Sequence, residues 1–199
     1  MQGLVRASVP VRAVGFETLL GRRELQFVES PLKGLFIIET AENYDDRGSF
    51  FRSFCADEFQ AHGLPYQFVQ CGISRNTRCG TLRGMHFQRE PRPEGKLVRC
   101  IKGKIHDVVV DLRGNSPTFR QWFAVDLDEA KATAVFIPAG MAHGFLTLAD
   151  DTQVLYQMTE YYAPELAGGV RWNDPAFAIS WPAEVKIISD RDSAFSDFQ

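Results

Sequence analysis

The sequence predicts an all-β barrel with a few short helices and an irregular C-terminal cap. Three observations carry that expectation. Short runs rich in β-branched and aromatic residues recur at roughly ten-residue intervals, each closed by Gly, Pro, Asp or Asn, which is the punctuation of a sandwich or barrel. No strand–helix–strand alternation appears between them, which disfavours a doubly wound nucleotide fold. The 199 residues, 45% of them hydrophobic, suffice for one sizeable core and do not require a second.

Residues 1–31 read as an N-terminal extension, either an arm for a neighbouring subunit or a flexible tail, and residues 32–199 as a single domain. Within that domain, strands are predicted at 35–40, 49–54, 67–74, 81–87, 97–101, 105–112, 122–127, 134–137, 144–148 and 154–161. The run Asp-Val-Val-Val-Asp at 107–111 is apolar enough for a central strand. Lys102-Gly103-Lys104 before it makes a tight hairpin turn. Only 56–62 reads as helix, stopped by Gly63. Residues 164–182, with Gly168, Gly169, Trp172 and Trp181, lack any period and read as a cap.

A formal net charge of −3 gives no general attraction for nucleic acid or an anionic membrane, so any cations that matter act locally. The longest apolar run, 135–149, is interrupted by Pro138, Gly140, His143 and Gly144, which argues against a membrane span. Cys55, Cys71, Cys79 and Cys100 are irregularly spaced with no CxxC pair, as expected of free thiols in the cytoplasm. Arg6 and Arg12 without a nearby acid faintly resemble a transit peptide, but Pro10 and the missing apolar core exclude a secretory signal.

Pro138-Ala139-Gly140-Met141-Ala142-His143 has the PxGxxH form of the second cupin motif, which makes the expected barrel a cupin-like jelly roll. The partner segment is 80–88, where His86 is followed two residues later by Gln88 rather than by a second histidine. With His62 on a surface helix, a three-nitrogen metal site would need His106, which has no matching carboxylate pattern. No metal is therefore expected. An inward His86 without a metal points instead to acid–base work, and Arg83 and Lys96 nearby point to an anionic ligand or a developing oxyanion. The plainer alternative is a core histidine hydrogen-bonded for packing.

Several runs, taken in order, closely resemble dTDP-4-dehydrorhamnose 3,5-epimerases over about 32–192. They are Asp45-Asp46-Arg47-Gly48, TLRGMHFQ at 81–88, GKLVR at 95–99, DVVVD at 107–111, SPTF at 116–119, PAGMAHGF at 138–145, Leu155-Tyr156, YYAP at 161–164 and WNDP at 172–175. The resemblance implies a homodimeric jelly roll without cofactor, acting on a dTDP-linked 4-keto-6-deoxy sugar. It also implies site roles. His86 matches the catalytic base, Asp192 the carboxylate that orients it, Tyr156 the proton donor and Lys96 the cation at the ketone oxygen. Arg83 and His143 match contacts to phosphates and sugar, Tyr162 the aromatic that stacks on the nucleobase, and Arg47 and Gln70 further ligand contacts.

Departures from the family pattern fall among the ligand positions. Arg52 stands for Glu, Gln70-Cys71-Gly72 for Gln-Asp-Asn, Ala167 for Glu, and Arg191 for a Lys beside the orienting aspartate. These substitutions leave the expected base, acid and enolate cation intact, so epimerisation is expected while the sugar, the nucleotide or the number of carbons inverted can differ. Rival readings are a mono-epimerase, a CDP- or GDP-sugar epimerase, a metal-dependent cupin oxygenase and a non-catalytic sugar-nucleotide binding module.

Overall fold

The computed structural model describes residues 24–198. Thirteen strands and two short helices follow one another among them: β1 Gln26–Glu29, β2 Phe36–Glu39, β3 Asn43–Asp45, β4 Gly48–Phe50, α1 Ala56–Ala61, β5 Gln70–Asn76, β6 Leu82–Gln88, β7 Lys96–Lys102, β8 Lys104–Asp111, β9 Trp122–Asp128, β10 Ala134–Ile137, β11 Met141–Thr147, β12 Thr152–Met158, β13 Ala167–Gly169 and α2 Asp190–Ser193. They form a six-stranded sheet ordered β1-β2-β10-β7-β12-β5, a five-stranded sheet ordered β13-β6-β11-β8-β9, and the separate hairpin β3–β4. Pairing β2 with β10, β7 with β12 and β6 with β11 carries the chain back and forth between two facing antiparallel sheets, which is the jelly-roll arrangement.

Alternation along the strands decides what lies between the sheets. Val98, Cys100, Val135, Ile137 and Val154 of the first sheet meet Ile105, Val109, Leu127, Met141 and Phe145 of the second in one buried cluster. Each such aliphatic or aromatic side chain contributes on the order of 2 kcal/mol on leaving water. The opposite faces are covered too. Ile38, Leu97 and Phe136 pack under Phe59 of α1, while Met85, Val108, Val110 and Ala142 pack under Val170 and Phe177, with Trp181 against them. Burial on both sides explains why Val108, Val109 and Val110 of β8 and the whole of β10 read as continuous apolar runs rather than alternating ones.

Residues 26–29, within the span predicted as an extension, form the edge strand β1 with Phe27 opposite Ile38. Residues 1–23, and with them Arg6, Pro10 and Arg12, lie outside the described residues. The C-terminal strap after α2 is fastened to the cap: Phe198 N–H donates to Asp174 Oδ2 at 2.6 Å, its ring leans on Phe177, and Asp197 pairs with Arg171 at 2.5 Å. No helix among the described residues is long and apolar enough to cross a membrane.

Candidate active site

A hollow of about 510 Å³ opens beside the edge strand β5 of the six-stranded sheet. That sheet supplies Gln70, Gly72, Ile73, Ser74 and Arg75 of β5, Lys96 of β7, and Tyr156 and Met158 of β12. Tyr156 lies opposite Gly72 and Val98, and Met158 opposite Gln70 and Lys96, so these project to one side, while Ile73 and Arg75 reach the hollow from the other face of the edge strand. Arg83 of β6 and Glu94 join them, with Tyr162 at the mouth.

The two histidines of the motifs stand on the second sheet. His86 of β6 is directly opposite His143 of β11, and the His143 ring meets that of Tyr156 edge-on at 5.8 Å between centroids. Tyr156 and the histidines thus approach from different sheets. Arg83 faces the same way as His86 although only two residues separate them. Phe145 pairs with Arg83 and His143 with His86, so two steps in β11 match three in β6. That extra residue is a β-bulge, and it returns both side chains to one face. Gly84 makes the bulge possible: it sits at φ +135°, and a Cβ there would overlap the backbone of Gly144.

Each histidine has a carboxylate partner. His86 Nε2 lies 2.7 Å from Asp192 Oδ1, although 106 residues separate them in sequence. Asp192 is delivered by α2, whose N-cap Ser189 accepts the Asp192 N–H, and its second oxygen accepts the Gly84 N–H at 3.2 Å. Burial alone would raise the Asp192 carboxyl. Hydrogen bonds from His86, Gly84 and Ser189 outweigh it and hold the group below its ordinary range, as a carboxylate. With Nε2–H donated to that carboxylate, a neutral His86 ring carries its lone pair on Nδ1. His143 Nε2 lies 2.8 Å from Asp107 Oδ2, and both residues are buried. The other Asp107 oxygen is buried without a hydrogen-bond partner.

The Tyr156 phenol is pushed well above its ordinary pKa by burial first and by the Asp107 charge second, with Arg83 acting the other way. It stays protonated through the physiological range. Lys96 is buried and paired with Glu94 at 2.9 Å. Arg83 is steadied by Asn76, whose Oδ1 accepts its Nε–H at 2.7 Å. Gln70 Oε1 accepts the Tyr162 N–H at 2.6 Å, which holds the exposed Tyr162 ring at the rim.

Gln88, in the place of a second metal-binding histidine, spends its amide on the backbone: Nε2 donates to Arg92 and Tyr161, and Oε1 accepts from Ala163. His106 belongs to the other face of the sheet, paired across the ladder with Asp126 and near Trp181. Among the described residues, no group of three His, Cys, Asp or Glu could hold a metal ion.

Arg47 and Arg52 are not brought to this hollow. Arg47 is exposed in the β3–β4 turn, ion-paired with Asp45, and Arg52 pairs with Glu58; both border a separate hollow beneath that hairpin. Arg191 is exposed on α2 beside Asp192. Sequence reasoning assigned no role to Glu94, Asp107, Asn76 or Ser189. The Ser189-x-x-Asp192 spacing was a legible N-cap signal for α2, whereas the partners of Lys96 and Arg83 had none.

A family model described as dTDP-4-dehydrorhamnose 3,5-epimerase matches residues 29–199. An enzyme of that description from Methanothermobacter thermautotrophicus is 47% identical over 172 residues, 85% of this chain and 92% of its own. The crystal structure of a dTDP-6-deoxy-D-glucose 3,5-epimerase from Legionella pneumophila in complex with dTDP-4-keto-L-rhamnose superposes with a TM-score of 0.82 at 37% identity, covering 86% of this chain and 92% of that one. A 3′-monoepimerase from Streptomyces bikiniensis in complex with dTDP-quinovose superposes with a TM-score of 0.79 at 34% identity, covering 84% and 85%.

Proposed function

Because this chain belongs to the dTDP-4-dehydrorhamnose 3,5-epimerase family, we propose that it converts dTDP-4-dehydro-6-deoxy-D-glucose to dTDP-4-dehydro-L-rhamnose by inverting C3 and C5. The observation that carries the reading is that His86 and Tyr156 stand on different sheets and are joined through His143, which is opposite His86 in its ladder and edge-on to Tyr156, while Tyr156 and Lys96 line the hollow together.

Hydrogens on the carbons flanking a ketone leave as protons when the enolate is stabilised. His86 Nδ1 takes the proton from one face while Asp192 balances the imidazolium that forms. The Lys96 ammonium carries the charge that grows on the C4 oxygen. Tyr156, kept protonated by its surroundings, returns a proton to the other face, and inversion follows. Solvent then reprotonates the phenolate and removes the proton from His86, so no redox equivalent is consumed and no cofactor enters the reaction. Arg83 suits the diphosphate and Tyr162 offers a ring to the nucleobase.

The hairpin β3–β4 stands apart from both sheets with Tyr44 and Phe50 about three-quarters exposed. A homodimer would cover that surface and bring Arg47 and Arg52 to the substrate of the neighbouring copy. Light scattering of the purified chain tests the stoichiometry. The described cysteines are unpaired, in keeping with a cytoplasmic enzyme.

A second reading, inversion at C3 alone, is favoured by Gly72. It lies opposite Tyr156, and a Cβ there would meet nothing within 4 Å, so the wall beside the proton donor is open where the family resemblance expects Asn. Incubation with the 4-keto-6-deoxyglucose nucleotide in deuterated water separates the readings by NMR. Deuterium with inverted configuration at C3 and C5 supports the 3,5-epimerase, deuterium with inversion at C3 alone the mono-epimerase, and deuterium at neither overturns both.

A further inference from the structure

Gly169 is the direct partner of His86 in the ladder between β13 and β6. Directly opposed residues project from the same face of a sheet, so a side chain at 169 would stand beside the imidazole. That place is already filled. A Cβ built on Gly169 would overlap the Phe195 ring, and this ring stands edge-on to His86 with centroids 6.1 Å apart and planes at 73°. Phe195 follows Asp192 by three residues on the same strap, whose far end is fastened by Phe198 and Asp197. One short segment therefore brings His86 both its carboxylate and an aromatic wall.

We propose that Phe195 is a positioning residue for the base: it fixes the plane of the His86 ring so that Nδ1 is held towards the substrate, and the missing side chain at 169 leaves room for it. A hydrogen bond at Nε2 fixes one ring atom but leaves the plane free to tilt. The wall removes that freedom. This inference rests on the reading of His86 as the base.

The test compares the wild type with Phe195→Ala, Phe195→Leu, Gly169→Ala and His86→Asn, measuring kcat, KM and the hydrogen-bonded imidazole N–H resonance, identified by its loss in His86→Asn. A misplaced reacting group costs up to about a hundredfold, so Phe195→Ala is expected to lower kcat about tenfold or more and leave KM within about twofold. The imidazole resonance should broaden. Phe195→Leu should recover most of both, and Gly169→Ala, whose methyl group would press on the ring and also on the Met85 carbonyl oxygen, should lower kcat at least as far as Phe195→Ala. Should Phe195→Ala melt below the assay temperature, Phe195→Leu and Phe195→Val carry the test, with kcat expected to follow side-chain bulk and equal values overturning the proposal. Wild-type kcat and an unchanged resonance in Phe195→Ala also overturn it, while an inactive His86→Asn leaves the base reading intact. An active His86→Asn removes that reading itself.

Discussion

Arg83 and His86 leave β6 on the same face, because the ladder with β11 fits three steps of one strand against two of the other. The device depends on Gly84, whose φ of +135° and contact with Gly144 leave no room for a methyl group. Gly84→Ala should destabilise the fold by about 2–4 kcal/mol. Any molecules that fold by sliding the register would turn either Arg83 or His86 away from the hollow. Urea unfolding together with kcat per folded molecule checks both effects, and a stable, fully active variant would show the bulge to be dispensable.

Asp192 orients the proposed base from 106 residues away. Asp192→Asn keeps the shape but permits the amide N–H to face the ring, which favours the wrong tautomer, so kcat should fall by about 10²–10⁴ with the fold retained. Its carboxyl is held below the ordinary range, so its stabilisation is present above the unfolded carboxylate pKa of about 3.9 and is lost as pH falls through the lower folded value. The stability difference between wild type and Asp192→Asn should accordingly be full at neutral pH and shrink on acidification below about pH 4.

Much of this architecture was legible in the chain. Strands such as 105–112 and 134–137 announced themselves because they are buried on both faces, and Gly63 marked the end of α1. What stayed hidden depended on tertiary partners. β1, β3 and β13 have three or four residues each and exist by virtue of the strand beside them; α2 is a single capped turn. The resemblance named His86, Tyr156, Lys96 and Asp192, but sequence order cannot say that Glu94 neutralises Lys96 or that Phe195 fills the space beside Gly169. Nor does it place Arg47 and Arg52 in a hollow apart from Tyr156, since that depends on where a free-standing hairpin points.

Asp111 offers a control remote from the chemistry. Burial works to raise its carboxyl, but Arg113, Ser116, Thr118 and the Arg113 N–H together hold it down to about 2. The network also ties β8 to the loop at Lys33, whose carbonyl accepts from Arg113 at 2.6 Å. Because the folded value is depressed, the stabilisation is complete above the unfolded pKa and disappears as pH falls from about 4 to about 2. Asp111→Asn should cost about 2–3 kcal/mol at pH 7, less at pH 3, with kcat unchanged. Urea titrations at the two pH values read this directly.

His106 lies on the opposite face of the sheet from His86 and His143, against Asp126 and Trp181. Three imidazoles therefore cannot converge on one ion. His106→Gln should leave kcat within about twofold and alter stability by no more than about 1 kcal/mol, the scale of one hydrogen bond. Dialysis against a chelator should likewise leave the rate unchanged. Loss of activity on chelation, restored by a transition metal, would return the oxygenase-like reading to contention.

Replacing Tyr156 would separate proton removal from inversion in the proposed mechanism. Its phenol is raised well above its usual value by burial and by Asp107, so it does not titrate near neutrality and contributes no alkaline limb below about pH 10. In Tyr156→Phe the opposite-face donor is gone, while His86, Asp192 and Lys96 remain. A proton taken by His86 then exchanges with water and returns from the same side. Deuterium should still enter the substrate while epimerised product falls by about 10²–10⁴. Loss of exchange and inversion in equal measure would mean instead that the phenol is needed for proton abstraction, and that the two sides of the hollow do not divide the work as proposed.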